Sequence, residues 1–163
     1  MSERLEYIDS VELFKKQVDL KAYQFPLGDG LSYGPEAFGQ LARVLIGRST
    51  QENFIMCMYD GDNRIAGYSH INKGHETQVP VDLFSAIRVA VIAGARRVAV
   101  AHNHPILDLT PSQPDMMLTL ALIRALAALQ IELMDHVIVN AEGHRSIRQV
   151  IGESDWRLAL SIL

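Results

Sequence analysis

Apolar and polar residues alternate along this chain with two periods, one typical of helices and one typical of strands. Residues 35–46 carry apolar side chains at helical spacing, with proline in the first turn and Gly47 as a C-cap. Two apolar runs flank the polar turn at 60–63, which predicts a β-hairpin. The whole pattern predicts helices over 35–46, 80–93, 112–129 and a short stretch capped by Ser154, and strands over 53–59, 64–71, 98–101, 131–139 and 144–148.

This order of elements predicts the fold class. Helices alternate with strands, and hairpins lie near both ends, which indicates an α/β domain with a mixed, largely antiparallel central sheet flanked by helices. The helices at 80–93 and 112–129 are apolar around most of their circumference, so we expect both to be mostly buried. A partner subunit is one way to cover the second of them.

The N-terminal 32 residues give the weakest signal. A short helix over 11–18 and an edge strand over 22–27 fit the pattern, and the glycines at 28 and 30 mark a turn. We therefore predict an N-terminal extension, 1–32, that packs on a single domain formed by residues 33–163.

Composition narrows the classes of function. Hydrophobic residues make up 48% of the 163 residues, and the formal charge is −4. A net negative charge disfavours a nucleic-acid partner, although a local basic patch would be compatible with it. Cys57 is the one cysteine, so no intramolecular disulfide forms, which favours a cytoplasmic location. The first residues do not resemble a signal peptide, and no apolar run is long enough to predict a membrane span.

The candidate chemistry is concentrated between residues 101 and 115. His102 and His104 are two apart at the end of a predicted strand, so both rings point to the same face. Ser112 is a predicted helix N-cap, which places Asp115 in the first helical turn, facing the histidines. Two imidazoles and a carboxylate can hold one divalent metal and leave a position for water. The alternative is that Ser112 and Asp115 form only a capping box.

The same residues carry a family resemblance. H-x-H, seven residues, S, two residues and D resembles the signature of the JAB/MPN metalloproteases, also called JAMM domains, and His102-Asn103-His104-Pro105 is most similar to the RadC-like branch. The resemblance extends over about residues 35–148. Further similar positions are Glu52-Asn53-Phe54, Tyr59-Asp60, Asn63-Arg64, Lys73-Gly74, residues 80–84, residues 135–139 and Ser146.

The resemblance implies a JAB/MPN fold, with a cytidine-deaminase-like architecture, and a site with assigned roles. His102, His104 and Asp115 would hold one zinc ion per chain. Glu52 would be the general base, whereas spacing alone leaves Glu36, Glu52 and Glu76 open for that role. Ser112 would hydrogen-bond the oxyanion of the tetrahedral intermediate.

Three features qualify the resemblance. Ile106-Leu107 replaces the small Ser-Gly pair that RadC-like domains usually have, and Val79-Pro80-Val81 replaces a frequent His-Pro-Arg. RadC proteins often carry an additional N-terminal helical domain of a DNA-binding type, for which we expect this chain to have no room.

Asp135 and His136 are predicted to be an orienting, hydrogen-bonded pair rather than catalytic residues.

Three hypotheses for function follow. The first is a zinc metallopeptidase or isopeptidase acting on a protein or peptide, with a ubiquitin-like protein as one candidate substrate. The second is a DNA-repair-associated protein or nuclease, and the third is a non-catalytic, metal-stabilised interaction module. A homodimer or another protein partner would fit each of the three.

Overall fold

The computed structural model describes residues 33–73, 82–105 and 108–161 of the chain. The predicted elements at 11–18 and 22–27, the loop with His75 and Glu76, the segment 79–81 and the pair Ile106-Leu107 lie outside those residues. The described part forms, in chain order, α1 (Pro35–Ile46), β1 (Asn53–Tyr59), β2 (Ile65–Lys73), α2 (Leu83–Ile92), β3 (Arg97–Asn103), α3 (Gln113–Ala128), β4 (Glu132–Val139), β5 (His144–Ser146), α4 (Ile147–Ile151) and α5 (Glu153–Ser161).

The strands form one mixed sheet in the order β2-β1-β3-β4-β5. The pairs β1–β2, β1–β3 and β4–β5 are antiparallel, and β3–β4 is parallel. The β3–β4 pair is parallel because α3 returns the chain to the end of the sheet at which β3 begins, so that β4 runs in the same direction. The predicted α/β class with a mixed, largely antiparallel sheet is confirmed.

Helices cover both faces of the sheet. On one face α1 packs Phe38, Leu41 and Ile46 against β1, β3 and β4. On the other face α2, α3 and α5 bury a second apolar cluster that includes Leu122, Leu126 and Trp156. Because neighbouring strand residues point to opposite faces, β1 supplies Phe54, Met56 and Met58 to the α3 face and Ile55, Cys57 and Tyr59 to the α1 face.

A bulge in β4 changes which residues face α3. Val98 pairs with Leu133 and Ala99 pairs with Asp135, so Met134 is an extra residue in β4. A bulge of this kind shifts the side-chain alternation by one position. His136 therefore lies opposite Val100, on the α3 face, and Asp135 lies opposite Ala99, on the α1 face.

Three local predictions were wrong. Helix α2 begins at Leu83 rather than at Pro80, because the Asp82 side chain accepts the N–H of Phe84 and caps the helix there. The last strand ends at Ser146 rather than at residue 148. The Ser146 hydroxyl accepts the N–H of Gln149 and caps α4, which begins at the next residue. Ser154 lies inside α5 and does not cap it.

The expected burial of α2 was also wrong. In the described chain α2 buries only Ala86 and Ala90, whereas the Phe84 and Val91 side chains are 75% and 50% exposed. Helix α3 is better covered and buries four residues against the sheet, Thr119, Leu122, Ile123 and Leu126. Among the residues that the structure describes, the apolar circumference of α2 therefore does not indicate a buried helix.

Candidate metal centre

Strand β3 delivers the two histidines to the α3 face of the sheet. Val98 and Val100 alternate with Ala99 and Ala101, and His102 continues the row that faces α3. His104 follows the strand, and its backbone N–H donates to the carbonyl of Val139 on β4 at 2.9 Å. This bond continues the β3–β4 ladder past the end of β3. The spacing of two residues thus places both imidazoles on one side, as the sequence predicted.

Helix α3 brings Asp115 to the same point through its N-terminal cap. Ser112 and Asp115 form a capping box, in which the Ser112 hydroxyl accepts the Asp115 N–H and the Asp115 carboxylate accepts the Ser112 N–H. The Ser112 hydroxyl also donates to Asp115 Oδ2 at 2.6 Å. The capping box therefore holds in place the carboxylate that faces the histidines. Asp115 can be part of the capping box and a metal ligand at the same time.

The three side chains converge on one point. His102 Nε2 lies 3.0 Å from His104 Nε2 and 3.2 Å from Asp115 Oδ1. His104 Nε2 lies 3.5 Å from Asp115 Oδ2. A tetrahedral zinc ion with bonds of about 2.0–2.1 Å needs ligand atoms about 3.3 Å apart. Two imidazoles and one carboxylate at these separations fit a zinc ion with one position left open.

The hydrogen bond at Nδ1 of His104 determines which ring nitrogen is free to bind a metal. His104 Nδ1 lies 2.8 Å from the backbone carbonyl of Asp108, which can only accept a hydrogen bond. The Nδ1 atom of His104 therefore carries the proton and donates. In the neutral ring, the Nε2 atom keeps its lone pair for a cation.

The electrostatics of the site are those of a charged carboxylate between two imidazoles. Burial raises the pKa of Asp115, but hydrogen bonds from His102 and His104 outweigh that effect and hold the pKa well below its ordinary value. The hydrogen bond to Asp115 in turn raises the pKa of His104 above its ordinary value. The carboxylate is therefore ionised at neutral pH, as a metal ligand must be.

Glu52 lies at the rim of the site, just before β1. The β1–β3 register pairs Phe54 with His102, so continuing it by two residues brings Glu52 opposite His104. Glu52 is exposed, and its charge contributes to raising the pKa of His104. Of the three glutamates that spacing left open, Glu36 instead hydrogen-bonds His144 through Oε2, and Glu76 lies outside the described residues.

Asn103, for which the sequence patterns predicted no role, holds the segment that carries Glu52. Its side chain is fully buried on the face opposite the histidines. The Asn103 Oδ1 atom accepts the N–H of Asn53 at 2.7 Å, and its Nδ2 atom donates to the carbonyls of Ser49 and Gln51 at 3.1 and 2.9 Å. A polar residue between two ligand histidines, directed into an apolar face, was the available signal.

Asp135 and His136 do not form the side-chain pair that the sequence suggested. The β4 bulge directs them to opposite faces, and the two residues share only a bond from the His136 backbone N–H to Asp135 Oδ1. Asp135 accepts the Ser146 hydroxyl at 2.9 Å, and burial raises the pKa of its carboxyl. His136 is fully buried with Nε2 2.8 Å from His102 Nδ1, and burial holds the pKa of His136 well below its ordinary value.

His70 is exposed on β2 and is not one of the three residues that converge on this point. Within the described ranges, no helix is long and apolar enough to cross a membrane.

A mixed sheet that brings two histidines and an aspartate to one point places this chain in the class of JAB-type metal-dependent hydrolase folds. The family model for the RadC-like JAB domain matches residues 33–152, and the chain belongs to that family. The match includes each of the residues from Glu52 to Asp115 discussed above.

Curated relatives support the same assignment. The chain is 34% identical over 139 residues to a UPF0758 protein of Burkholderia mallei, covering 85% of this chain and 49% of the relative. It is 38% identical over 100 residues to a UPF0758 protein of Synechocystis sp., covering 61% of this chain and 41% of the relative. A UPF0758 protein of Trichodesmium erythraeum is 36% identical over 104 residues, which is 62% of this chain and 42% of the relative. The matched part of the chain spans less than half the length of these relatives.

Proposed function

We propose that this protein is a zinc-dependent hydrolase of the JAMM type that cleaves amide or isopeptide bonds in a protein or peptide. The observation that carries the proposal is the convergence of three side chains. His102 Nε2 lies 3.0 Å from His104 Nε2 and 3.2 Å from Asp115 Oδ1, and His104 Nε2 lies 3.5 Å from Asp115 Oδ2. Zinc prefers nitrogen and oxygen ligands in a tetrahedral set, and catalytic zinc sites have three protein ligands with one open position.

The residues of the chain divide the work of hydrolysis. A zinc ion held by the three ligands would lower the pKa of water from about 15.7 to about 7, so that hydroxide is available at neutral pH. Glu52 would accept the proton of the attacking water and return it to the leaving amine. Glu52 is exposed and lies opposite His104, so a substrate can reach both Glu52 and the metal ligands.

Ser112 would donate a hydrogen bond to the oxyanion that forms during attack. In this structure the Ser112 hydroxyl donates to Asp115 Oδ2, so a substrate would have to take over that bond. The loss of one oxyanion donor typically lowers kcat by about 100- to 1000-fold. Replacing Ser112 is therefore expected to lower kcat more than it weakens substrate binding.

The first test is the metal content of the purified chain, without added metal or chelator. About one zinc per chain is expected in the wild type, with none in His104→Ala. His144→Ala is the matched control, because His144 pairs with Glu36 on the other side of the sheet. If wild type and His104→Ala hold the same metal, or neither takes up zinc, the metal assignment is wrong.

The second test separates catalysis from metal binding. Glu52→Gln should keep the zinc of the wild type and lose hydrolysis of a peptide or isopeptide substrate found by screening. DNA substrates belong in the same screen, since zinc and water can also attack a phosphodiester. Cleavage of DNA without cleavage of any peptide would replace the peptidase proposal by the nuclease. Full peptidase activity in Glu52→Gln would refute the role of Glu52.

A further inference from the structure

A chain of three hydrogen bonds runs from the backbone of α3 to the ring of His102. The Thr119 hydroxyl lies 2.7 Å from the carbonyl oxygen of Asp115, and the same hydroxyl lies 2.7 Å from His136 Nδ1. His136 Nε2 lies 2.8 Å from His102 Nδ1. Thr119 and His136 are fully buried and His102 is 2% exposed, so the partners of these polar atoms are one another.

The direction of each bond follows from proton counting once His102 Nε2 binds a metal. The proton of the neutral His102 ring is then on Nδ1, which donates to His136 Nε2. In the neutral His136 ring the proton is on Nδ1, which donates to the Thr119 oxygen. The Thr119 hydroxyl in turn donates to the carbonyl oxygen of Asp115.

The Thr119 hydroxyl is the group that accepts at the end of this relay. Without it, the Nδ1–H of His136 would have no partner, because His136 is fully buried. A buried donor without a partner costs free energy that no solvent can offset here. Phe54 also restrains both rings, since it stacks on His102 at 6.3 Å and contacts His136 edge to face at 5.5 Å between centroids.

We propose that Thr119 and His136 are positioning residues that set the tautomer of His102, so that its Nε2 atom is the one available to the metal. This proposal rests on the metal site of the proposed function and adds the residues that prepare one ligand. His104 is prepared by the backbone carbonyl of Asp108, whereas His102 depends on side chains. A single substitution can therefore disturb His102 alone.

The first experiment reads the tautomers in the zinc-loaded protein. Long-range proton–nitrogen spectra of the ¹⁵N-histidine-labelled protein, at mildly alkaline pH, distinguish a protonated Nδ1 from a protonated Nε2. The wild type should show His136 protonated on Nδ1 and His102 bound through Nε2 with its proton on Nδ1. A His136 ring protonated on Nε2 in the zinc-loaded wild type would overturn the proposal.

The second experiment measures zinc affinity by competition with a chelator. Thr119→Val keeps the shape of the side chain and removes the hydroxyl, and it should bind zinc about 10- to 100-fold more weakly, as substitutions behind metal ligands typically do. Thr119→Ser keeps the hydroxyl and should bind as the wild type does. Equal affinity in Thr119→Val and Thr119→Ser would contradict the proposal.

A control and a second pair of variants separate positioning from stability. Ser146→Ala removes another buried hydroxyl, bonded to Asp135 on the opposite face, and should lower stability while leaving zinc affinity and the histidine spectra unchanged. Should Thr119→Val fail to fold, His136→Gln offers an amide oxygen as acceptor and His136→Leu offers none. Zinc binding should be stronger in His136→Gln, and equal binding in the two variants would refute the relay.

The two proposals fail in different ways. A wild type that takes up no zinc refutes the proposed function. A wild type that binds zinc with His136 protonated on Nε2, or with equal affinity in Thr119→Val and Thr119→Ser, keeps the proposed function and refutes the relay.

Discussion

The Oδ1 atom of Asn103 accepts the backbone N–H of Asn53 at 2.7 Å, although the two residues are 50 positions apart in the chain. Asn103 stands between the two ligand histidines, and Asn53 directly follows Glu52. The bond therefore ties the strand that carries the metal ligands to the segment that carries the proposed base. Asn103 is buried on the α1 face, so it links these groups without entering the site.

Asn103→Ala should uncouple Glu52 from the metal ligands. It removes four hydrogen bonds and frees the segment from Ser49 to Asn53. Zinc content should be retained, because the ligands point to the other face, while kcat/KM falls about 100-fold through misplacement of the base. Asn140→Ala removes another nearly buried asparagine, which caps the β4–β5 turn, and should leave kcat/KM unchanged. Loss of activity in both variants would argue against a specific link.

Ser112→Ala should affect both stability and rate. Loss of a serine N-cap typically costs about 1 kcal/mol in the free energy of unfolding. Ser146 caps α4 in the same way, so Ser146→Ala should cost a similar amount or more, given its bond to Asp135. Only Ser112→Ala should lower kcat, by about 100- to 1000-fold. Chemical denaturation and steady-state kinetics of both variants test this, and equal rates in the two would refute the oxyanion role.

Zinc should stabilise the folded protein. A ligand that binds only the folded state adds about 2.7 kcal/mol to the free energy of unfolding at a concentration 100 times its Kd. The melting temperature should therefore rise with added zinc and fall when a chelator removes it. His104→Ala should show no such dependence, because one of the three ligands is missing. An equal zinc response in His104→Ala would place the metal elsewhere.

Cys57 should make the protein less stable at alkaline pH. Burial raises the pKa of its thiol from 9.0 to about 12, so the folded state keeps a proton that the unfolded chain loses. The stabilisation is fully present below pH 9.0 and is lost as the pH rises towards 12. Between about pH 7 and about pH 10 the wild type should lose about 1.4 kcal/mol relative to Cys57→Ala. Denaturation curves of both proteins at the two pH values measure that difference, and a constant difference would contradict the assignment.

Two phenylalanines should respond differently to truncation. Phe54 is 2% exposed and contacts His102 and His136, so Phe54→Ala should cost about 3–5 kcal/mol and weaken zinc binding. Phe84 is 75% exposed on α2, so Phe84→Ala should change stability by less than about 0.5 kcal/mol. A large loss of stability in Phe84→Ala would show that α2 is covered in solution.

Features that depend on neighbours along the chain could be predicted from local sequence patterns. Strand alternation placed His102 and His104 on one face, and the cap pattern placed Ser112 and Asp115 at the start of α3. Strand β1 was predicted with the bounds it has, because an apolar run and a polar turn are local signals. The burial of α2 was predicted wrongly, since composition does not reveal whether another element covers a helix.

Which distant side chains meet at the site depends on how the strands and helices pack together. The extra residue Met134 in β4 shifts the alternation, so that His136 rather than Asp135 faces His102. Thr119 lies one turn after Asp115 on α3 and contacts His136. Register and bulges are set by the packing of whole strands against helices, and no short stretch of sequence encodes them.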